Sequence, residues 1–108
     1  MNKLFIYIPT YNRFRSVTKQ LKIILPKVKL HKDRVRLLVN DNASDKDLLS
    51  LAREYKNSTN IVFHRNCGNI GGNANIALGF VFARDDEFLW ILSDNDIVKK
   101  DAIDYILD

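Results

Sequence analysis

Two carboxylates one residue apart follow an apolar run late in the sequence. The stretch WILSDNDIV, residues 90–98, places Asp94 and Asp96 directly after a β-prone segment. Such carboxylates repel each other unless a cation lies beside them or a solvated turn separates them. Mg²⁺ and Mn²⁺ are commonly held by one or two carboxylates together with substrate phosphates. A metal site completed by phosphate is therefore one interpretation, and a turn that caps a helix is the other.

Two features of this stretch favour the metal site over the turn. Residues two apart on an extended segment point to the same side, so both carboxylates are expected to face one ligand. The preceding segment EFLWIL, residues 87–92, is apolar on both faces. That pattern is typical of a buried central strand in a parallel sheet.

Three further segments are predicted as strands, at residues 3–8, 34–40 and 60–64. Periodic apolar residues predict helices between them. The first helix is expected to stop at Pro26, and the second to begin with a capping box from Ser44 to Asp47. Strand and helix alternate four times, which predicts one open, mainly parallel, Rossmann-like α/β sheet with helices on both faces.

Polar loops follow all four predicted strands. They read PTYNR, NDNASD, HRNCGNIGGN and SDNDIV, whereas the opposite strand ends are plainer. Because ligands of parallel α/β sheets bind at the carboxyl ends of the strands, this asymmetry predicts one binding site there.

Each of these loops also has a simpler interpretation. The glycines of GNIGGN allow a tight turn, or they present backbone amides and a helix N-terminus to phosphate. In NDNASD, Ser44 or Asn42 can cap a helix, while the carboxylate of Asp41 can accept from a base or ribose. Cys67 and His64 are too few for a zinc site, and Cys67 is expected to be a packing residue.

Length and composition set outer bounds. The 108 residues favour one domain, with 46% hydrophobic and 28% charged residues and a net charge of +4. The densest basic cluster, residues 27–36, is interpreted as a solvated loop edge in preference to a contact with anionic lipid or phosphate. One cysteine and an N-terminus too short for a signal peptide favour the cytoplasm. The sequence stops within a helical pattern, which suggests a truncated domain.

Taken together, four motifs resemble family-2 glycosyltransferases with the GT-A fold. IPTYNR, NDNASD, NIGGNANIALG and WILSDND occur in the order and spacing of that family. The resemblance covers residues 1–108 and implies that they form the nucleotide-diphospho-sugar-binding part of such a domain, with the remainder absent.

The resemblance also implies site residues. Asp41 would accept from the base N–H, most naturally that of uracil, and Tyr11 would lie against the base. Asp96 would ligate a divalent metal, Mn²⁺ or Mg²⁺, and Asp94 would face the ribose or the metal. The metal would bridge the diphosphate and stabilise the leaving nucleotide. The other residues expected along the nucleotide are Pro9, Thr10, Asn69, Gly71 and Gly72.

The sequence departs from the family pattern in two ways. The acidic catalytic base lies beyond Asp108 in the family, so no residue here is assigned as the base. The segment GGNAN lacks the arginine that many members carry, and Arg13 and Arg65 are either substitutes for it or surface residues.

The implied activity is metal-dependent transfer of a sugar, UDP-linked in the expected case, with inversion. The acceptor would be a saccharide or a lipid-linked glycan in bacterial polysaccharide synthesis, with the full-length enzyme cytoplasmic or peripheral at the inner membrane face. Neither nucleic acid nor a transmembrane segment is expected. The alternatives are a nucleotide-binding fragment that is inactive alone and a nucleotidyltransferase of related fold. The loop PTYNRFR lacks the glycines expected of the latter.

Overall fold

Four parallel strands form one sheet in the computed structural model, which describes residues 3–108. The strands are β1 (Lys3–Thr10), β2 (Val35–Asp41), β3 (Ile61–Arg65) and β4 (Glu87–Ile91). The helices are α1 (Phe14–Leu30), α2 (Leu49–Glu54), α3 (Gly72–Phe82) and α4 (Ala102–Leu107). The sheet order is β3-β2-β1-β4, and each neighbouring pair is parallel. The predicted α/β architecture is confirmed.

Alternate residues of β1 divide the core into two layers. Ile6 and Ile8 pack with α1, α2 and α4 in the larger layer, whereas Phe5 and Tyr7 pack towards α3 in the smaller one. Each fully buried side chain of this size contributes about 1.5–3 kcal/mol through apolar burial. The alternation places helices on both faces of the sheet and holds β1 in its interior.

Helix α1 continues past Pro26, so the prediction that it stops there was wrong. The apolar stripe does not end at the proline, because Val28 is fully buried against the sheet. Pro26 itself is exposed, and its cost to the helix is a missing hydrogen bond and a ring that crowds the preceding turn. Burial of Val28 offsets that cost.

Helix α3 approaches the sheet closely through Gly79. A Cβ built on this glycine would lie 2.7 Å from Cδ2 of Tyr7, closer than real side chains come. Glycine normally weakens a helix interior, but here its missing side chain makes room for the Tyr7 ring. The contact fixes α3 over β1, and with it the position of the helix N-terminus.

In the sheet formed by residues 3–108, strand β4 lies at one edge, whereas a central position was expected. Phe88 is 66% exposed, and only β1 pairs with this strand within residues 3–108. The amino end of β4 is nevertheless held firmly. Nε and Nη2 of Arg36 donate to Glu87 at 2.9 and 2.7 Å, and the guanidinium of Arg36 lies 3.8 Å from the centroid of the Phe5 ring.

Part of the basic cluster at residues 27–36 forms ion pairs. Nζ of Lys27 donates to Asp104 at 2.6 Å, and His31 contacts the other oxygen of that carboxylate at 2.8 Å. Lys27 first, and His31 with it, hold the pKa of Asp104 below its usual value. These contacts attach α4 to α1.

Within residues 3–108, no helix has the length and apolar character needed to cross a bilayer.

Candidate functional site

A cleft of about 320 Å³ opens where the loops after β1 and β4 meet the start of α3. Its position at the carboxyl edge follows from the sheet register, which places Pro9 opposite Asn40 and Thr10 opposite Asp41. Five of the residues predicted from sequence line this cleft: Pro9, Thr10, Tyr11, Gly72 and Asp94. The other lining residues are Asn42, Asn75, Ile76, Ile91 and Ser93.

Asp94 is held from β1. The hydroxyl of Thr10 donates to Oδ2 of Asp94 at 2.8 Å, and Thr10 is itself buried at the end of the strand. This hydrogen bond occupies one carboxylate oxygen and aims the side chain across the end of β1. Asp94 is half-buried, so its charge lies at the wall of the cleft.

The segment 93–96 is a hydrogen-bonded turn, so the expectation that Asp94 and Asp96 lie on an extended segment was wrong. The backbone N–H of Asp96 donates to the carbonyl of Ser93 at 3.2 Å. Asp94 is half-buried, whereas Asp96 is exposed. The side-chain amide of Gln20, on α1, donates to the carbonyls of Ser93 and Asp96. Sequence patterns did not identify Gln20, because it lies 73 residues before Ser93.

The donors of this turn fit a hard divalent cation in part. Asp94 and Asp96 offer carboxylate oxygens, the ligand type that Mg²⁺ and Mn²⁺ prefer. Within residues 3–108, no group of three or more acidic, histidine or cysteine side chains is placed to hold a metal alone. A cation bound here would need further ligands, and phosphate oxygens are of the right chemistry.

Asp41 lies on the other side of Thr10 and is almost fully hydrogen-bonded. It is 5% exposed. Its Oδ1 accepts from the backbone N–H and the hydroxyl of Ser44, and its Oδ2 accepts from Nη1 of Arg65 at 2.7 Å. Arg65 also donates to the carbonyl of Ser44. Arg65 is therefore part of this site, and its assignment as a surface residue was incomplete.

The contacts of Ser44 explain why the predicted capping box is absent. Its hydroxyl donates to Oδ1 of Asp41 and also accepts from the backbone N–H of Asn12 at 2.8 Å. Helix α2 begins only at Leu49 and has no side-chain cap. The loop is strained, because Ala43 has a φ of 63°, a region that costs a non-glycine residue about 1–2 kcal/mol.

An apolar pocket of about 160 Å³ adjoins Asp41 and Arg65. Its other walls come from β2, β3 and the start of α2, including Val39, Leu48 and Phe63. A flat apolar ring with polar edges would find hydrocarbon walls here, together with the carboxylates of Asp41 and Asp47 and the guanidinium of Arg65.

Asn42 ties the end of β2 to the glycine loop before α3. Its Oδ1 accepts from the backbone N–H of Ile70 at 2.9 Å, and its Nδ2 donates to Oδ1 of Asn69 at 2.9 Å. Oδ1 of Asn69 in turn accepts from the backbone N–H of Gly71 at 2.8 Å. The side chain of Asn69, expected along a nucleotide, is thus engaged within the protein and shapes the loop.

Glycine is required at position 71 but not at position 72. Gly71 has a φ of 91° and a ψ of 150°, a region that only glycine adopts without strain. Gly72 begins α3 and lines the cleft, and a Cβ there would meet no atom within 4 Å.

A second asparagine network lies under the loops. Oδ1 of Asn75 accepts from Asn40 and Asn66, and the hydroxyl of Tyr7 donates to the carbonyl of Asn75 at 2.6 Å. Burial of the Tyr7 hydroxyl raises its pKa. His64 contacts Oδ1 of Asn40 at 2.7 Å, so its Nδ1 must carry the proton. The density of asparagine after β2 and β3 was the available signal for this network, although not for its pairings.

Cys67, in the loop after β3, is exposed. Its assignment as a packing residue was wrong, because the asparagine networks, and not apolar contacts, hold that loop.

The sequence of the chain matches the family described as Glycosyl transferase family 2 over residues 5–108. The chain belongs to this family. No curated relative matches its sequence.

Solved structures show the same fold for this family-2 chain. It resembles TarS 1-349 of S. aureus with a TM-score of 0.79 and 24% identity, over 97% of this chain and 31% of that one. A structure of TarS 1-349 in complex with UDP-GlcNAc matches with a TM-score of 0.72 and 23% identity, over 97% and 30%. The mannosyltransferase PcManGT from Pyrobaculum calidifontis, in complex with GDP-Man and Mn²⁺, matches with a TM-score of 0.73 and 17% identity, over 94% and 30%. The family-2 chain thus spans about a third of the length of these proteins.

Proposed function

We propose that residues 1–108 form the donor-binding part of a metal-dependent glycosyltransferase that uses a UDP-linked sugar. One observation carries the proposal: a single sheet edge brings together a base-sized pocket at Asp41 and an acidic turn at Asp94, with Thr10 between them. A nucleoside diphosphate presents a flat base at one end and phosphates at the other, which matches this order of groups.

The pocket at Asp41 should select among nucleobases through the acceptor position of the carboxylate that remains unfilled. A carboxylate has about four acceptor positions, and three of those on Asp41 are filled by two donors from Ser44 and one from Arg65. One position remains for a base N–H, with the guanidinium of Arg65 beside it to donate to a neighbouring carbonyl. Uracil offers that N–H and carbonyl pair. Adenine carries its donor, the N6 amino group, at a different place on a larger two-ring base, so the same pair of contacts is not expected to form.

The phosphate end is formed by the turn and the start of α3. Asp94 and Asp96 would hold the cation, which supplies Lewis-acid stabilisation of the leaving diphosphate when bound. The first backbone amides of α3, from Gly72 onward, lie at a helix N-terminus, where negative charge is favourable. Tyr11, 44% exposed at the cleft, offers a ring face to the ribose or base.

The relatives support this proposal without extending it to a substrate. TarS binds UDP-GlcNAc and PcManGT binds GDP-Man with Mn²⁺ in their solved structures. Because this chain spans about a third of those proteins, no residue here is assigned as the catalytic base or to the acceptor site. Transfer to a saccharide or lipid-linked acceptor, with inversion, is proposed for the whole enzyme, and the 108-residue chain is expected to be inactive alone.

Calorimetric titration with UDP and ADP in the presence of Mn²⁺ tests the proposal. We expect UDP to bind more tightly, by about 10-fold or more, since one charge-assisted hydrogen bond contributes about 1.5–3 kcal/mol. Asp41→Asn keeps the shape but turns one acceptor into a donor, so it should reduce the preference. Equal affinity for the two nucleotides would contradict the assignment of the base pocket.

A further inference from the structure

Gln20 is a buried polar residue on α1 that lies directly beneath the acidic turn. It is 1% exposed, although its helix neighbours on the same stripe, Val17, Leu21 and Ile24, are apolar. Its Nε2 donates to the carbonyl of Ser93 at 2.9 Å and to the carbonyl of Asp96 at 2.7 Å. These two carbonyls belong to the first and last residues of the turn.

The orientation of this amide is determined by its surroundings. Both neighbours are carbonyl oxygens, which only accept, so the nitrogen and not the oxygen must face them. The other end, Oε1, is buried and has no hydrogen-bond partner among residues 3–108. An unsatisfied buried acceptor is costly. The two hydrogen bonds that Nε2 makes to the backbone offset this cost, so the amide is retained for its contacts with the turn.

The turn is held from two sides, and the two holds are different. Thr10 fixes the side chain of Asp94, whereas Gln20 fixes the backbone at Ser93 and Asp96. Among the described residues, the carboxylate of Asp96 has no hydrogen-bond partner, so only its backbone determines where it points. Gln20 therefore holds the backbone from which the more exposed carboxylate projects.

We propose that Gln20 is a positioning residue for the divalent cation, acting through the backbone of the 93–96 turn. The inference rests on the proposed function, because it takes Asp94 and Asp96 as ligands of a cation that arrives with a nucleoside diphosphate. Loss of the amide should keep both carboxylates but allow the turn that carries them to adopt several conformations. Metal binding should then weaken, while the base pocket is unaffected.

Gln20→Met and Thr18→Val form a matched pair for the test. Methionine keeps the length of the side chain but removes both hydrogen bonds and the unpartnered oxygen. Thr18 carries the other buried side-chain oxygen without a partner in residues 3–108, on the same helix, and its hydroxyl makes no hydrogen bond to the turn. Both variants remove one such oxygen, and only Gln20→Met releases the turn.

The binding test is a titration of UDP with and without Mn²⁺ on the 108-residue chain. In Gln20→Met, the affinity for UDP without metal should stay within about 2-fold of wild type. The affinity of the UDP complex for Mn²⁺ should fall by about 10- to 100-fold, the usual effect of removing a partner that orients a metal ligand. Thr18→Val should keep both affinities. Wild-type Mn²⁺ affinity in Gln20→Met would overturn the inference.

Hydrogen exchange gives a readout that needs no nucleotide. The amide proton of Asp96 should exchange faster in Gln20→Met and at the wild-type rate in Thr18→Val, and an unchanged rate in Gln20→Met would overturn the claim that Gln20 holds the turn. If the wild type shows slow exchange at Asp96 but no effect of Mn²⁺ on UDP binding, the proposed metal site fails and the positioning role fails with it. If Gln20→Met does not fold, the side-chain amide resonances of Gln20 are followed by NMR in the wild type instead. They should shift when Mg²⁺ and UDP bind, and their failure to shift would contradict the proposal.

Discussion

The loop after β2 and the turn after β4 both carry aspartates at the carboxyl edge of the sheet, yet the carboxylates of Asp41 and Asp96 have opposite environments. Asp41 is buried and accepts three hydrogen bonds from Ser44 and Arg65. Asp96 is exposed, and no hydrogen bond to its carboxylate forms within the described part of the chain. Asp94 is intermediate, since it is half-buried and accepts from Thr10.

This difference separates a preformed region from one that a ligand completes. A buried carboxylate must be satisfied before any ligand arrives, because an unpaired charge in the interior is costly. An exposed carboxylate is solvated by water and exchanges that water for a cation at low cost. We therefore expect the Asp41 region to contribute to folding stability and the 93–96 turn to contribute mainly to binding.

The largest contrast should appear in unfolding by urea. Asp41→Ala leaves the donors of Ser44 unsatisfied and should lower the free energy of unfolding by about 1.5–3 kcal/mol. The partial exposure of Arg65, 45% for its side chain, keeps the loss towards the lower end. Asp96→Ala should change it by less than about 0.5 kcal/mol. Equal losses would mean that the two regions do not differ in the way proposed.

The glycine loop should show the same contrast between adjacent residues. Gly71→Ala places a side chain at a φ of 91° and should cost about 1–3 kcal/mol of stability. Gly72→Ala adds a methyl group where no atom lies within 4 Å, so thermal unfolding should be nearly unchanged. Because Gly72 lines the cleft, its variant should bind UDP more weakly all the same. A stable Gly71→Ala would contradict the account of the loop.

A smaller effect is expected from acid at the amino end of β4. Burial alone would raise the pKa of Glu87, but the fork of Arg36 and the backbone N–H of Arg84 outweigh it and hold the pKa below its usual value. A carboxyl group whose pKa is lower in the folded state stabilises the fold at pH values above its unfolded pKa, about 4.5. This stabilisation is lost as the pH falls through the folded-state pKa. Glu87→Gln should therefore lower stability at pH 7 and flatten its decline below pH 4.5.

Chemical denaturation of wild type and Glu87→Gln at several pH values between about 3 and 7 measures that slope. Identical slopes for wild type and Glu87→Gln would show that this pair does not anchor β4.

Local signals were enough to predict the strands and the edge at which the polar residues meet. Each strand is a short apolar run that ends in a polar loop, and parallel pairing then places Thr10, Asp41 and Asp94 at the same edge of the sheet. The position of β4 in the sheet could not be read the same way. Apolar residues on both faces indicate burial, but they do not say which strands lie on either side.

Long-range pairings account for most of what was missed. Ser44 looks like a helix cap in sequence, and only the folded chain brings Asn12 and Asp41 to its hydroxyl. Gln20 looks like an ordinary helix residue, because the carbonyls that it binds lie more than 70 residues away. Pro26 was misjudged for a related reason, since burial of Val28 depends on the sheet.

The linkage between Mn²⁺ binding and UDP binding is the direct test of a metal site at the 93–96 turn. UDP is titrated into wild type, Asp94→Asn and Asp96→Asn, each with and without Mn²⁺, and Mn²⁺ is titrated with and without UDP. We expect weak Mn²⁺ binding to the free chain and a mutual tightening by the same factor in both directions, as thermodynamic linkage requires. Asp96→Asn should abolish the tightening, Asp94→Asn should reduce it less, and both should keep their fold. Equal UDP affinity in all variants, with and without Mn²⁺, would show that the 93–96 segment is only a turn.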